Sequence, residues 1–175
     1  MFNDNVILQE VIYLLKLNNG RLNLLKLIKE LYLADRLSIK EREWSISGDT
    51  YFSMKNGPIL SDTLNLLNDK EEFSEYIDRE PTDYYPNIIL KKELDDYDYL
   101  SDKDKEYLET ISNKFKNNNE WELVNYTHKL EEWTSVKKSE RKKIKFTDIL
   151  AAVGYSPEEI SKIKSEQDSF KNFMA

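Results

Sequence analysis

Leu24–Leu67, LLKLIKELYLADRLSIKEREWSISGDTYFSMKNGPILSDTLNLL, decides how the rest of the chain is read. Leu24, Leu27, Ile28, Leu31 and Ala34 recur at helical spacing, which gives a long helix one apolar face. Asn23 can cap that helix, which should run to about Glu41. Tyr32 and Asp35 flank the stripe, and Arg36 follows. Ser47-Gly48-Asp49 reads as a turn, and Tyr51 and Phe52 suit a short strand. Asn56-Gly57-Pro58 changes the direction of the chain. Pro58 fits the first position of a helix, because its φ is already helical and its missing N–H would have had no intrahelical partner. A third helix is therefore expected from about Pro58 to Asn68, with Ser61 and Asp62 in its first turn.

On the N-terminal side, Val6, Ile7, Val11, Leu14 and Leu15 make an apolar face for a helix from Asp4 to Leu17. Asn18-Asn19-Gly20 ends it, since Asn and Gly tolerate the left-handed backbone in which helices stop. The short loop makes the two helices packed neighbours. On the C-terminal side, Phe73, Tyr76 and Ile77 stand at helical spacing and predict a short helix between Asp69 and Asp83. Pro81 and Pro86 keep Asp83-Tyr84-Tyr85 extended or turned. Ile88-Ile89-Leu90 suits a strand, with the Tyr51 segment as its expected partner. Asp95 to Tyr99 is an acidic, aromatic loop.

Ser101, with Asp104 three residues on, opens a helix that buries Tyr107, Leu108, Ile111 and Phe115. Asn117-Asn118-Asn119 stops it. The next helix is expected from about Trp121 to Trp133, burying Leu123, Val124, Thr127 and Leu130. Val136 to Lys145 reads as a basic loop, Thr147 as the cap of a short helix to Val153, and Ser156-Pro157-Glu158-Glu159 as the start of the last helix. Residues 1–175 thus read as one mainly α (α+β) domain, with a small two- or three-stranded sheet.

Composition narrows the function. The net charge is −7 and the sequence pI about 5.0, so the molecule as a whole repels a phosphate backbone and nucleic acid is an unlikely partner. Without cysteine, neither a disulfide nor a thiolate metal site is possible. The N-terminus lacks the basic region of a signal peptide, and no apolar run approaches the ~18 residues needed to span a bilayer. A soluble, cytoplasmic protein is the expectation. Gly48 and Gly57 belong to no phosphate-loop motif, and no cofactor is indicated.

His128 is the single histidine. One hydrogen bond would satisfy it structurally, whereas catalysis needs a neighbouring nucleophile or carboxylate, so the structural role is favoured. A zinc site would have to rest on carboxylates, and none is expected. Asp35, at the edge of the stripe, must be hydrogen-bonded or paired. Its candidate partners are Arg36, the backbone N–H groups of the following turn, and His128. A structural lock on that turn is favoured over a partner contact. Tyr84, Tyr85, Tyr97 and Tyr99 lie in acidic loops and suit a protein interface, because the ring is rigid and amphipathic. The basic run from Lys137 to Lys145 carries no interleaved aromatics and reads as a solvated loop.

Lys26-Leu27, Tyr32-Leu33-Ala34-Asp35-Arg36, Gly48 and Gly57-Pro58-Ile59, followed by Thr127-His128 and Trp133, resemble the pattern of the Panacea, or SocA-like antitoxin, domain. The matches span about Leu24 to Ile149. Ile59 stands where that family usually has Val, and Ser53-Met54 where a small Ala is common. The resemblance implies an antitoxin that neutralises a cognate toxin, encoded nearby, by direct protein–protein binding. It also admits a proteolytic adaptor, with a protease or chaperone as partner, or a phage-associated regulator that binds a host protein. An enzyme built on Asp35 and His128 is the third and least favoured reading. Tyr32, Asp35, Arg36, Tyr51, Lys55, Gly57, Pro58, His128 and Trp133 are the candidate toxin-binding residues, with Tyr51 and Lys55 expected to project outward.

Overall fold

A computed structural model describes residues 2–69 and 71–174. Its elements, in chain order, are α1 (Asp4–Leu17), β1 (Arg21–Asn23), α2 (Leu24–Arg42), β2 (Tyr51–Met54), β3 (Gly57–Leu60), α3 (Ser61–Asn68), β4 (Ile77–Glu80), β5 (Asn87–Leu90), α4 (Asp102–Phe115), α5 (Glu120–Thr127), β6 (Lys142–Ile144), α6 (Phe146–Ala152) and α7 (Pro157–Met174). The architecture is α+β, 51% helical and 13% strand, with two small three-stranded sheets.

Helix α2 is the axis of the molecule. Asn23 caps it, its side chain accepting from the Leu25 N–H at 2.9 Å. Its apolar stripe is fully inside: Leu27, Leu31 and Ala34 have no exposed surface. Helices α1, α4, α5 and α6 and strand β3 all pack against it. One cluster of buried side chains runs from Ile7 to Ile163 and takes residues from α1, α2, both sheets and α4 to α7. The capping boxes expected at Ser101/Asp104 and Ser156/Glu159 are present.

Both sheets differ from expectation in composition. Ile88 does not pair with the Tyr51 segment: β5 lies between β1 and β4, with Leu22 opposite Ile88 and Ile77 opposite Leu90. The last three residues before α2, Arg21–Asn23, are thus a strand, and the segment expected to form a helix between Asp69 and Asp83 is a turn leading into β4. Phe73 takes a left-handed φ of 55°, which breaks the helical course, and Ile77 is buried by sheet pairing instead. The second sheet has the order β3-β2-β6. Within the expected basic loop, Ile144 pairs with Tyr51 and is buried, while Lys142 and Lys143 face solvent.

Pro58 does not start a helix. It lies in β3 opposite Ser53, and α3 begins three residues later, at Ser61. β3 is an edge strand, so an absent N–H costs no ladder bond. The N-terminus of α3 is capped from a distance. Asp49 accepts from the Asp62 N–H at 3.0 Å, the Thr63 N–H at 2.8 Å and the Thr63 hydroxyl at 2.7 Å. Helix α5 stops at Thr127, with turns continuing to Trp133, and Lys145 rather than Thr147 flanks α6.

Candidate functional site

The sequence motif assembles where α2 meets the second sheet. Asp35 is completely buried and accepts four hydrogen bonds: from the Ile46 N–H at 2.7 Å, the Ser47 N–H at 3.0 Å, the Ser47 hydroxyl, and the Tyr51 hydroxyl at 2.8 Å. Burial pushes its carboxyl up, and these bonds pull it back. Of the three candidate partners, the turn backbone is the one used; Arg36 and His128 are not involved. Tyr51 therefore points inward and is only 4% exposed, against the expectation that it projects. The reason is its position on the middle strand, on the face covered by α2. Its ring meets that of Tyr32 edge-on, with centroids 5.7 Å apart.

A second buried carboxylate completes this frame. Glu132 accepts from the Tyr32 hydroxyl at 2.9 Å and the Arg36 Nε at 2.6 Å. Arg36 is thus an internal brace that ties α2 to the segment after α5.

The β2–β3 hairpin is gripped from two sides. Gly57 has φ +98°, and a Cβ there would lie 2.6 Å from Thr127 Oγ1 and 3.1 Å from Lys29 Cε. Only glycine allows both that backbone and that approach. Lys29 is fully buried and donates to the Pro58 carbonyl at 2.7 Å; burial lowers its amine to about 7. From the other side, Trp133 Nε1 donates to the Met54 carbonyl at 3.1 Å, and the Thr134 N–H to Ser53 Oγ at 3.1 Å. His128 stacks on Trp133 with ring centroids 4.0 Å apart. Burial lowers its imidazole, opposed by a hydrogen bond to the Lys55 backbone. Thr127, His128 and Trp133 hold the hairpin in place. Lys55, at its tip, is exposed.

Beside this hairpin lies an open cleft of about 510 Å³, between the first turns of α2, the hairpin tip and Tyr84-Tyr85-Pro86. Tyr85 is fixed at its rim: its hydroxyl accepts from Asn56 Nδ2 at 2.8 Å, and its carbonyl from Asn23 Nδ2 at 2.9 Å. Tyr84 is 79% exposed, and its ring meets Trp121 edge-on at 5.9 Å. Tyr97 and Tyr99 do not join this group; Tyr97 packs edge-on against Tyr13 of α1, and the Tyr99 backbone bonds to Gln9. Sequence reasoning missed Lys29, Ser47, Asp49 and Glu132. Glu132 stands inside the Thr127–Trp133 element, next to Trp133, and that position was the available signal.

Among the described residues, no group of three or more His, Cys, Asp or Glu side chains is placed to hold a metal ion. Nor is any described helix long and apolar enough to cross a membrane. The geometry defines an α+β scaffold with a buried, hydrogen-bonded frame and an open, aromatic-rimmed cleft beside it. Residues 27–134 match the family model for the antitoxin SocA-like, Panacea domain, and the chain belongs to that family. Neither the curated proteins nor the solved structures give a match.

Proposed function

We propose that the protein is an antitoxin that neutralises a cognate toxin, encoded nearby, by direct binding, with residues 1–175 acting as one unit in the cytoplasm. The reading rests on family membership together with one structural observation. Of the nine candidate residues, eight are buried or half-buried and form a frame, and Lys55, at the lip of the cleft, is exposed. Such a frame suits the presentation of a surface. Asp35 is saturated with four donors and His128 is stacked on Trp133, which supports a structural role for both. The contact residues of this reading are Lys55, Tyr84, Tyr85 and Trp121. Tyr32, Asp35, Arg36, Tyr51, Gly57, Pro58, His128 and Trp133 hold them in place.

The test is growth rescue against the product of the adjacent reading frame, with a pull-down of that product. Lys55→Glu combined with Tyr84→Ala is expected to abolish rescue and capture while leaving the melting curve unchanged. Interface hot spots of this kind are each worth ~2 kcal/mol or more, roughly thirtyfold in affinity. Full rescue and capture by the double variant would move the interface off this cleft. Rescue that disappears in a protease-deficient host would replace blocking with delivery for degradation.

A further inference from the structure

The cleft carries a charge opposite to that of the molecule. The net charge is −7, yet Lys29, Lys55 and Lys138 line the cleft and, among the described residues lining it, there is no carboxylate. Lys29 sits beneath the hairpin. An ammonium offers three donors, and the Pro58 carbonyl takes one of them. No carboxylate pairs with Lys29, Lys55 or Lys138 among the described residues. Lys29 has no exposed surface, so the cations that an incoming group can touch are Lys55 and Lys138. Apart from Asn56 and Asn68, the wall is mostly apolar, with Leu24, Leu25, Ile28, Met54, Ile59 and Leu64, and the rim is aromatic. A small ion would use the lysines and waste the apolar wall, whereas a nucleic acid would meet the negative field of the molecule outside the cleft.

We infer that the cleft receives a short segment of the partner protein that carries a carboxylate beside a large apolar side chain. The carboxylate faces Lys55 and Lys138, with Lys29 buried beneath the hairpin, and the apolar side chain lies against Leu25, Ile28 and Met54. This rests on reading the cleft as the partner-binding face, and it makes recognition bipartite. An otherwise basic partner would meet the acidic surface, and one acidic-apolar segment would enter the cleft.

The probe is a terminally blocked peptide with a central Leu-Glu-Phe, compared with its Leu-Gln-Phe twin, titrated into the isotope-labelled full chain. The Glu peptide is expected to shift the amide signals of Lys55, Asn56 and Gly57 and to bind at least ~10-fold tighter than its twin. Lys55→Glu with Lys138→Glu should abolish that preference; both residues lie outside the buried frame, so the fold is kept, as circular dichroism would check. Equal binding of the two peptides, shifts elsewhere, no saturable binding, or displacement of the Glu peptide by equimolar acetate or phosphate would each overturn the inference. Growth rescue is scored separately. No rescue by the unaltered protein, with intact peptide discrimination, would overturn the antitoxin reading alone, and rescue by it without discrimination would overturn this inference alone.

Discussion

The frame around Asp35 and the cleft beside Tyr85 lie a few residues apart in the fold, and they handle charge in opposite ways. In the frame, each buried carboxylate is satisfied: Asp35 by four donors, Glu132 by Tyr32 and Arg36. In the cleft, Lys29 has a single carbonyl and Lys55 and Lys138 have no carboxylate partner among the described residues. Saturated groups resist change and define shape, whereas groups with spare donors are available to a second molecule. The family motif is therefore mostly a description of the frame. The residues that would touch a partner stand next to the motif rather than in it.

The comparison can be broken most severely from the frame side. Leu31→Asp is expected to unfold the protein. Leu31 is fully buried in the centre of α2, and an unpaired carboxylate there costs several kcal/mol, about the whole stability of a domain. Circular dichroism would show helix lost at room temperature; a native spectrum and an unchanged melt would mean that the stripe is misassigned.

Gly57→Val should come next. It forces a β-branched side chain onto a positive φ and into Thr127 and Lys29, at a cost of ~2 kcal/mol or more. Urea unfolding measures it, and a midpoint within error of the parent would contradict the tight approach.

A smaller and pH-dependent effect distinguishes satisfied from unsatisfied charge. Glu30 is buried with Lys26 Nζ 3.7 Å away and no closer partner for its oxygens among the described residues, and burial, opposed by Lys26, raises its carboxyl from 4.5 to about 7. Between those values the folded protein holds a proton that the unfolded chain has lost, so this group's contribution to stability falls as pH rises from about 4.5 to 7. Lys29 runs the other way. Its amine falls from 10.5 to about 7, the unfolded chain binds the extra proton between those values, and stability rises with pH across that window. The summed contribution of these two groups is lowest near neutrality. Glu30→Gln should remove its part of the acid-side fall and raise stability at pH 7 by ~1 kcal/mol or more. Urea midpoints at pH 5, 7 and 9 measure this, and an acid-side slope identical to the parent's would count against it. The smallest stability effect, within ~0.5 kcal/mol, is expected for Lys55→Glu with Tyr84→Ala, both on the surface. That double variant sharpens the comparison because its effect on binding should be the largest.

What the sequence made legible, and what it hid, follows from the range of the interactions. Helices α1, α2, α4 and α7 declare themselves by periodicity and caps, which are local properties. The turn lock at Asp35 was also readable, because the residue sat at the edge of an apolar stripe just before a turn. The strands were misread where a local rule had a rival. Asn56-Gly57 is a strong hairpin signal, but Pro58 also fits a helix start, and only the pairing of Met54 with Gly57 decides. The partners of Ile88 lie far away in sequence, and Leu22, in a three-residue strand, gave no periodic signal. Lys29 stands between Ile28 and Glu30, and nothing in its spacing marks it as buried. Its role depends on a carbonyl 29 residues on, which no pattern within α2 records.

Strand β6 has a further consequence. The family model ends at residue 134, yet β6, at Lys142–Ile144, covers one side of β2, while β1, at Arg21–Asn23, covers one side of β5 and precedes the match. A fragment cut to residues 27–134 would bare the backbone ladder of both central strands. Such open edges are templates for pairing with other chains, and the fragment would tend to form aggregates. What sequence comparison recognises here is smaller than what can stay dispersed in water.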